Sequence, residues 1–139
     1  MSRSPKRTIE EAEAVLSCDD NRVKVYRFLE KFSQCEVYVR PYLLKYYKES
    51  NQTVCLEEIP LDSREIKTAL SEAGIYFEDS KLITKIFGAE DAPGKSSCRW
   101  LRNKITHELM IRSIREVCNR SSELMSDMDC FMNTIFEQS

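Results

Sequence analysis

A chain of 139 residues with a formal net charge of -2 is not a polycation, so a nucleic-acid role requires a local basic face rather than bulk attraction. Hydrophobic residues make up 42% and charged residues 32%, ordinary values for a globular protein, and the length can bury a real core within a single domain, 1–139. With only three glycines and four prolines, an all-β fold, which spends such residues on its turns, is disfavoured.

Residues 1–7 read as a flexible tail, polar and basic, with no apolar segment behind them to make a secretory leader. Thr8 and Glu11 have capping-box spacing, and Ala12, Val15 and Leu16 give the short helix behind them one apolar face. Asp19-Asp20-Asn21 breaks that helix and offers the next N-cap. A long second helix follows over about 21–49, where Val25, Leu29, Phe32, Cys35, Val39, Leu43 and Tyr46 recur at helical spacing. Pro41 lies inside it and is expected to kink it. Tyr38, Tyr42, Tyr46 and Tyr47 gather around the kink, read first as a core edge with wet hydroxyls and second as a base-stacking surface.

Ser50-Asn51-Gln52 ends the helix, and residues 53–61 lack a helical period and read as extended. Asp62 and Glu65 form a second capping box ahead of Ile66, Ala69, Leu70 and Ala73, with Gly74 as the stop. Asp79 or Ser80 caps a short helix carrying Leu82, Ile83, Ile86 and Phe87, closed by Gly88. Ser96 or Ser97 caps a further long helix with Trp100, Leu101, Ile105, Leu109, Ile111, Ile114 and Cys118. Asn119-Arg120-Ser121-Ser122 makes a turn, and the last helix shows Leu124, Met128, Phe131 and Ile135 as a stripe flanked by Met125, Met132 and Phe136. The expected fold is all-α: an antiparallel bundle of five to six helices with one long kinked member.

The six cysteines include no CxxC pair, so zinc-ribbon and thioredoxin-like spacings are absent, and reduced, mostly buried thiols are expected. No apolar run approaches the roughly 20 residues of a membrane span, so no membrane partner is expected and a cytoplasmic location is. Charge changes sign along the chain: residues 57–91 carry nine acids and four bases, residues 95–120 seven bases and two acids. The acidic helix pair at 62–73 and 79–87 has the wrong sign to serve as a DNA-reading helix-turn-helix.

The basic segment contains Arg102-Asn103-Lys104-Ile105-Thr106-His107, with the single histidine of the chain. On a helix Asn103 and His107 share a face, one turn apart, while Arg102 lies about 140° around from His107. An imidazole that titrates near neutral pH can take the proton of an RNA 2'-hydroxyl or protonate the leaving 5'-oxygen. Guanidinium groups can hold the phosphate and stabilise the charge that builds on it, with no metal required. DNA lacks the 2'-hydroxyl and cannot react this way.

This stretch resembles the R-(N/D/H)-x-x-x-H motif of the HEPN superfamily (higher eukaryotes and prokaryotes nucleotide-binding domain). The resemblance implies an all-α domain of metal-independent endoribonucleases, including toxins and defence effectors, with no cofactor. It implies Arg102 and His107 as catalytic residues with Asn103 in support, leaving Arg99, Lys104 and Arg112 as substrate-binding cations. It also implies a homodimer formed through the Arg102–His107 helix, since the motifs of two copies make one composite site. RNA would be the substrate, and an antitoxin or a nucleotidyltransferase the protein partner. The alternative is a catalytically silent helical module that binds a nucleotide or serves as the partner of a nucleotidyltransferase.

Overall fold

The computed structural model describes residues 5–50, 61–92 and 94–139, with the side chains of 5–8 excepted. Over these residues the protein is an all-α helical bundle without a strand. Its helices are α1 (Pro5–Leu16), α2 (Asp19–Glu49), α3 (Ser63–Glu72), α4 (Leu82–Phe87), α5 (Cys98–Glu108), α6 (Ile111–Asn119) and α7 (Ser121–Gln138). Apart from the buried Leu61, the extended stretch expected over 53–61 lies outside the described residues.

α1 begins at Pro5, ahead of the expected capping box, so 5–7 are helical rather than tail. Proline suits a first helical position because its missing N–H has no partner there in any case. α2 starts two residues earlier than expected, with Asp19 and Asp20 in its first turn, where the helix dipole favours negative charge. Its Asn21 side chain donates to the Val15 carbonyl at 3.2 Å and so ties the two helices at their junction.

At 31 residues α2 is about 46 Å long and forms the spine of the bundle. It packs against α1, α3, α5, α6 and α7. Its buried stripe is Val25, Phe28, Phe32, Cys35, Val39, Leu43 and Tyr47, so Phe28 and Tyr47 take the inner positions expected for Leu29 and Tyr46. The helix continues past Pro41 to Glu49. The carbonyl that Pro41 leaves without a donor belongs to exposed Val37, where water can replace the lost bond. Tyr47 is core, Tyr42 and Tyr46 pack on its edge, and Tyr38 is exposed, which matches the core-edge reading for three of the four rings.

A ladder of phenylalanine rings crosses the core. Phe32 meets Phe87 at 5.5 Å between centroids, Phe87 meets Phe131 at 5.5 Å, and Phe131 stacks on Phe77 at 5.6 Å. α2, α4 and α7 are thereby joined through one apolar cluster. Met128 and Met132 belong to that core, whereas Phe136 stands exposed.

Two helix ends bear on the sequence reading. Asp62 caps α3 by accepting from the Arg64 and Glu65 N–H groups, but among the described residues Glu65 Oε2 is buried without a hydrogen-bond partner and no bond returns from Asp62 N–H to Glu65, so only the Asp62 half of the expected capping box forms. Gly74, at φ 81°, closes α3 in the left-handed conformation, with Ile75 N–H reaching back to the Leu70 carbonyl at 3.0 Å.

The single helix expected from 97 to 118 is two helices. Leu109 adopts φ 46°, ψ 41°, and its N–H bonds the Ile105 carbonyl, while Met110 N–H bonds that of Lys104. The break follows from burial. In an unbroken helix Ile114 would point about half a turn away from Ile105, nine residues earlier at about 100° each. Both are in the core, and only a re-aimed chain can put them there. Leu109, expected in the apolar stripe, is exposed instead. Division of this helix raises the number of helices among the described residues to seven, against the expected five to six.

Of the five described cysteines, Cys35 and Cys98 are buried, Cys118 is half-buried, and Cys18 and Cys130 are exposed. The expectation of mostly buried thiols therefore fails. All five are free thiols, and burial pushes Cys35 up to about 12.

Candidate active site

α5 is short, and its frame is set at both ends. Ser97 caps it by accepting from Trp100 N–H at 3.1 Å, and the left-handed Leu109 stops it. Cys98, Leu101 and Ile105 form its buried face. Arg102 follows Leu101 and so falls on the edge of that face, against α2.

There the guanidinium is held on three sides. Its Nη1 donates to Glu36 Oε1 at 2.5 Å, its Nε donates to Asn103 Oδ1 at 2.8 Å, and its Cζ lies 4.6 Å from the centre of the Phe32 ring. Glu36 is shared: its other oxygen accepts from Arg40 Nη2 at 2.9 Å. One carboxylate, 13% exposed, thus sits between two guanidinium groups, each about a quarter exposed. This is a partly desolvated, charge-assisted network, in which ion pairs are stronger than at an open surface.

The network leaves donors unspent. A guanidinium has five N–H groups, and Arg102 Nη2 makes no hydrogen bond among the described residues. Asn103 accepts through Oδ1, which directs its Nδ2 donors elsewhere. Thr106 Oγ1 returns to the Arg102 carbonyl at 2.9 Å and is spent within the helix.

His107 lies one turn beyond Asn103 and is exposed, with no hydrogen bond or ion pair among the described residues. The structure therefore brings Arg102 and Asn103 into contact and leaves His107 unengaged at the helix end. The three expected binding cations are spread out. Arg99 Nη1 donates to the Phe87 carbonyl at 3.4 Å. Lys104 pairs with Glu108 at 3.2 Å, and Arg112 pairs with Asp91. Lys104 and Arg112 also share one ring, lying 5.6 Å and 4.9 Å from the centre of Trp100.

Sequence reasoning missed Glu36 and Arg40. The available signal was their spacing of four on α2, beside buried Cys35, which places a charge pair at the margin of an apolar stripe. Among the described residues no group of three or more His, Cys, Asp or Glu could hold a metal ion, and no helix is long and apolar enough to cross a membrane. No family model matches the chain, and neither a curated protein nor a solved structure was found to match it.

Proposed function

We propose that this chain is a metal-independent endoribonuclease of the HEPN type, working as a two-fold dimer. The observation that carries the reading is the state of α5: a guanidinium anchored by Glu36 and Asn103 with donors to spare, and an unengaged imidazole one turn on. An anchored guanidinium is what a developing phosphorane charge requires, since it needs no reorganisation at the moment of reaction. An imidazole free of internal partners is available to exchange a proton with a substrate.

In this reading His107 removes the 2'-hydroxyl proton or protonates the leaving 5'-oxygen. Arg102 stabilises the phosphate charge, and Asn103 orients Arg102. The product carries a 2',3'-cyclic phosphate. Because the chain has one histidine, the second proton-transfer group comes from the facing copy. Unpaired RNA is the preferred substrate, since only an unstacked nucleotide can align its 2'-hydroxyl with the phosphate. Toxin or defence roles, with an antitoxin or nucleotidyltransferase as partner, belong to the same proposal, as does a cytoplasmic setting.

The test is incubation with single-stranded RNA in the presence of EDTA. His107→Ala is expected to lower the cleavage rate by about 10²–10⁴-fold while RNA binding persists. Cleavage at the wild-type rate by that variant overturns the reading.

One observation favours a silent module instead: Arg102 is already paired with Glu36 at 2.5 Å, a carboxylate that it shares with Arg40. A protein that binds RNA or a nucleotide through Arg102 without cutting it would meet that description.

A further inference from the structure

A cleft of about 760 Å³ opens between α3, α4, the 88–97 loop and the start of α7. It shares no residue with the Arg102, Asn103, His107 and Glu36 group. Its volume lies within the roughly 300–1,000 Å³ of sites for small ligands.

One wall is built firmly. The Glu116 carboxylate, 7% exposed, accepts from Gly94 N–H at 3.1 Å and Ser96 N–H at 3.2 Å. It also receives Arg120 Nη1, which donates to the Ser96 carbonyl at 3.0 Å as well, while Arg120 Nε donates to Glu123 at 2.8 Å. Nη1 and Nε of Arg120 therefore hold the loop against α7, and Nη2 makes no hydrogen bond among the described residues. Lys85, which also faces the cleft, is paired with Asp79 at 3.1 Å.

Three cations remain. Lys67 of α3, Lys81 at the entry of α4 and Lys95 of the loop line the cleft, and none has a side-chain hydrogen bond or ion pair among the described residues. Three ammonium groups from three separate elements around one concavity repel one another unless an anion lies between them. Two carboxylates, Glu90 and Asp127, face the same space, neither with a side-chain hydrogen bond or ion pair among the described residues, while Lys85 and Arg120 attract Asp127 from farther off. A bare anion is poorly matched to such a lining. A ligand with a phosphate end and a hydroxyl or amine end satisfies both signs.

We propose that this cleft binds a nucleoside phosphate, with its phosphates on Lys67, Lys81 and Lys95 and its hydroxyl or amine donors on Asp127. The site is independent of the ribonuclease reading, because it uses none of the same side chains.

Calorimetric titration of the full chain with adenosine diphosphate, pyrophosphate and adenosine tests this. Adenosine diphosphate is expected to bind saturably, more tightly than pyrophosphate, with adenosine weakest. The double variant Lys81→Gln, Lys95→Gln is expected to lose affinity by at least about tenfold while melting like the parent. Asp127→Asn is expected to reduce the preference for the nucleotide over pyrophosphate, and Arg102→Ala, which disables the RNA site, to leave adenosine diphosphate affinity as it was. The assignment is overturned by absence of saturable binding at millimolar ligand, by undiminished binding in the lysine variant, or by loss of binding in Arg102→Ala. Pyrophosphate binding as tightly as the nucleotide overturns the nucleoside part.

Discussion

Asp127 shows how burial acts on one carboxyl group. Partial burial raises its pKa above the ordinary carboxylate value, ahead of the opposing pull of Lys85 and Arg120 and with a further push from Glu123 and Asp79. A folded-state pKa above the unfolded value means that the folded chain binds this proton more tightly. Ionised Asp127 therefore subtracts from stability at neutral pH, and the deficit vanishes as pH falls through the raised pKa. Asp127→Asn, which cannot ionise, is expected to melt above wild type at about pH 7, with the gap closing toward about pH 4. A variant that melts below wild type at neutral pH contradicts this. The same scale shows what a sequence can and cannot reveal about a site. That Arg102, Asn103 and His107 lie on one helix was legible, because their spacing in the chain is enough to show it. Glu36 was not, because its bond to Arg102 spans 66 positions and exists only once α5 packs on α2.

Helix ends carry the next lesson, since two glycines terminate helices for different reasons. Gly74 follows α3 with φ 81° and open space around a would-be Cβ. Gly88 follows α4 in an extended conformation that any residue adopts, but a Cβ there would lie 2.5 Å from the Thr84 carbonyl oxygen. Gly74→Ala is expected to cost about 1–2 kcal/mol through the left-handed backbone, and Gly74→Asn less, since asparagine tolerates that conformation. Gly88→Ala is expected to cost about 1–3 kcal/mol through the clash, with no relief from asparagine. Denaturant titration of the four variants checks both; asparagine relieving the Gly88 position would refute the steric account. Capping residues and helix periods made most of these elements legible in the sequence: Asp62, Gly74 and Ser97 act where their types suggested. The break at Leu109 was not legible. Leucine is a strong helix former with no turn preference, and the chain bends there because Ile105 and Ile114 must enter the same core. Tertiary burial overrode local propensity.

For the molecule as a whole, the phenylalanine ladder ties α2, α4 and α7 into one cluster, and Phe87 stands at its middle with no exposed surface. Phe87→Ala is expected to cost about 3–5 kcal/mol, a large share of the 5–15 kcal/mol typical of a domain. A loss under about 1 kcal/mol in urea unfolding would mean that the ladder is not the keystone of the core. Because Arg102 rests on Phe32, the first ring of that ladder, the same variant is expected to loosen the site as well. The central claim is that two copies complete one site, and the most direct measurement dilutes wild type with a disabled copy. His107→Ala, inactive alone on single-stranded RNA, is mixed with wild type in rising proportion so that mixed dimers form. A site that draws one histidine from each copy predicts that cleavage falls as the square of the wild-type fraction, because a mixed dimer holds a single histidine and is silent. Cleavage falling only in proportion to the wild-type fraction, with mixed dimers shown to be present, would contradict the account.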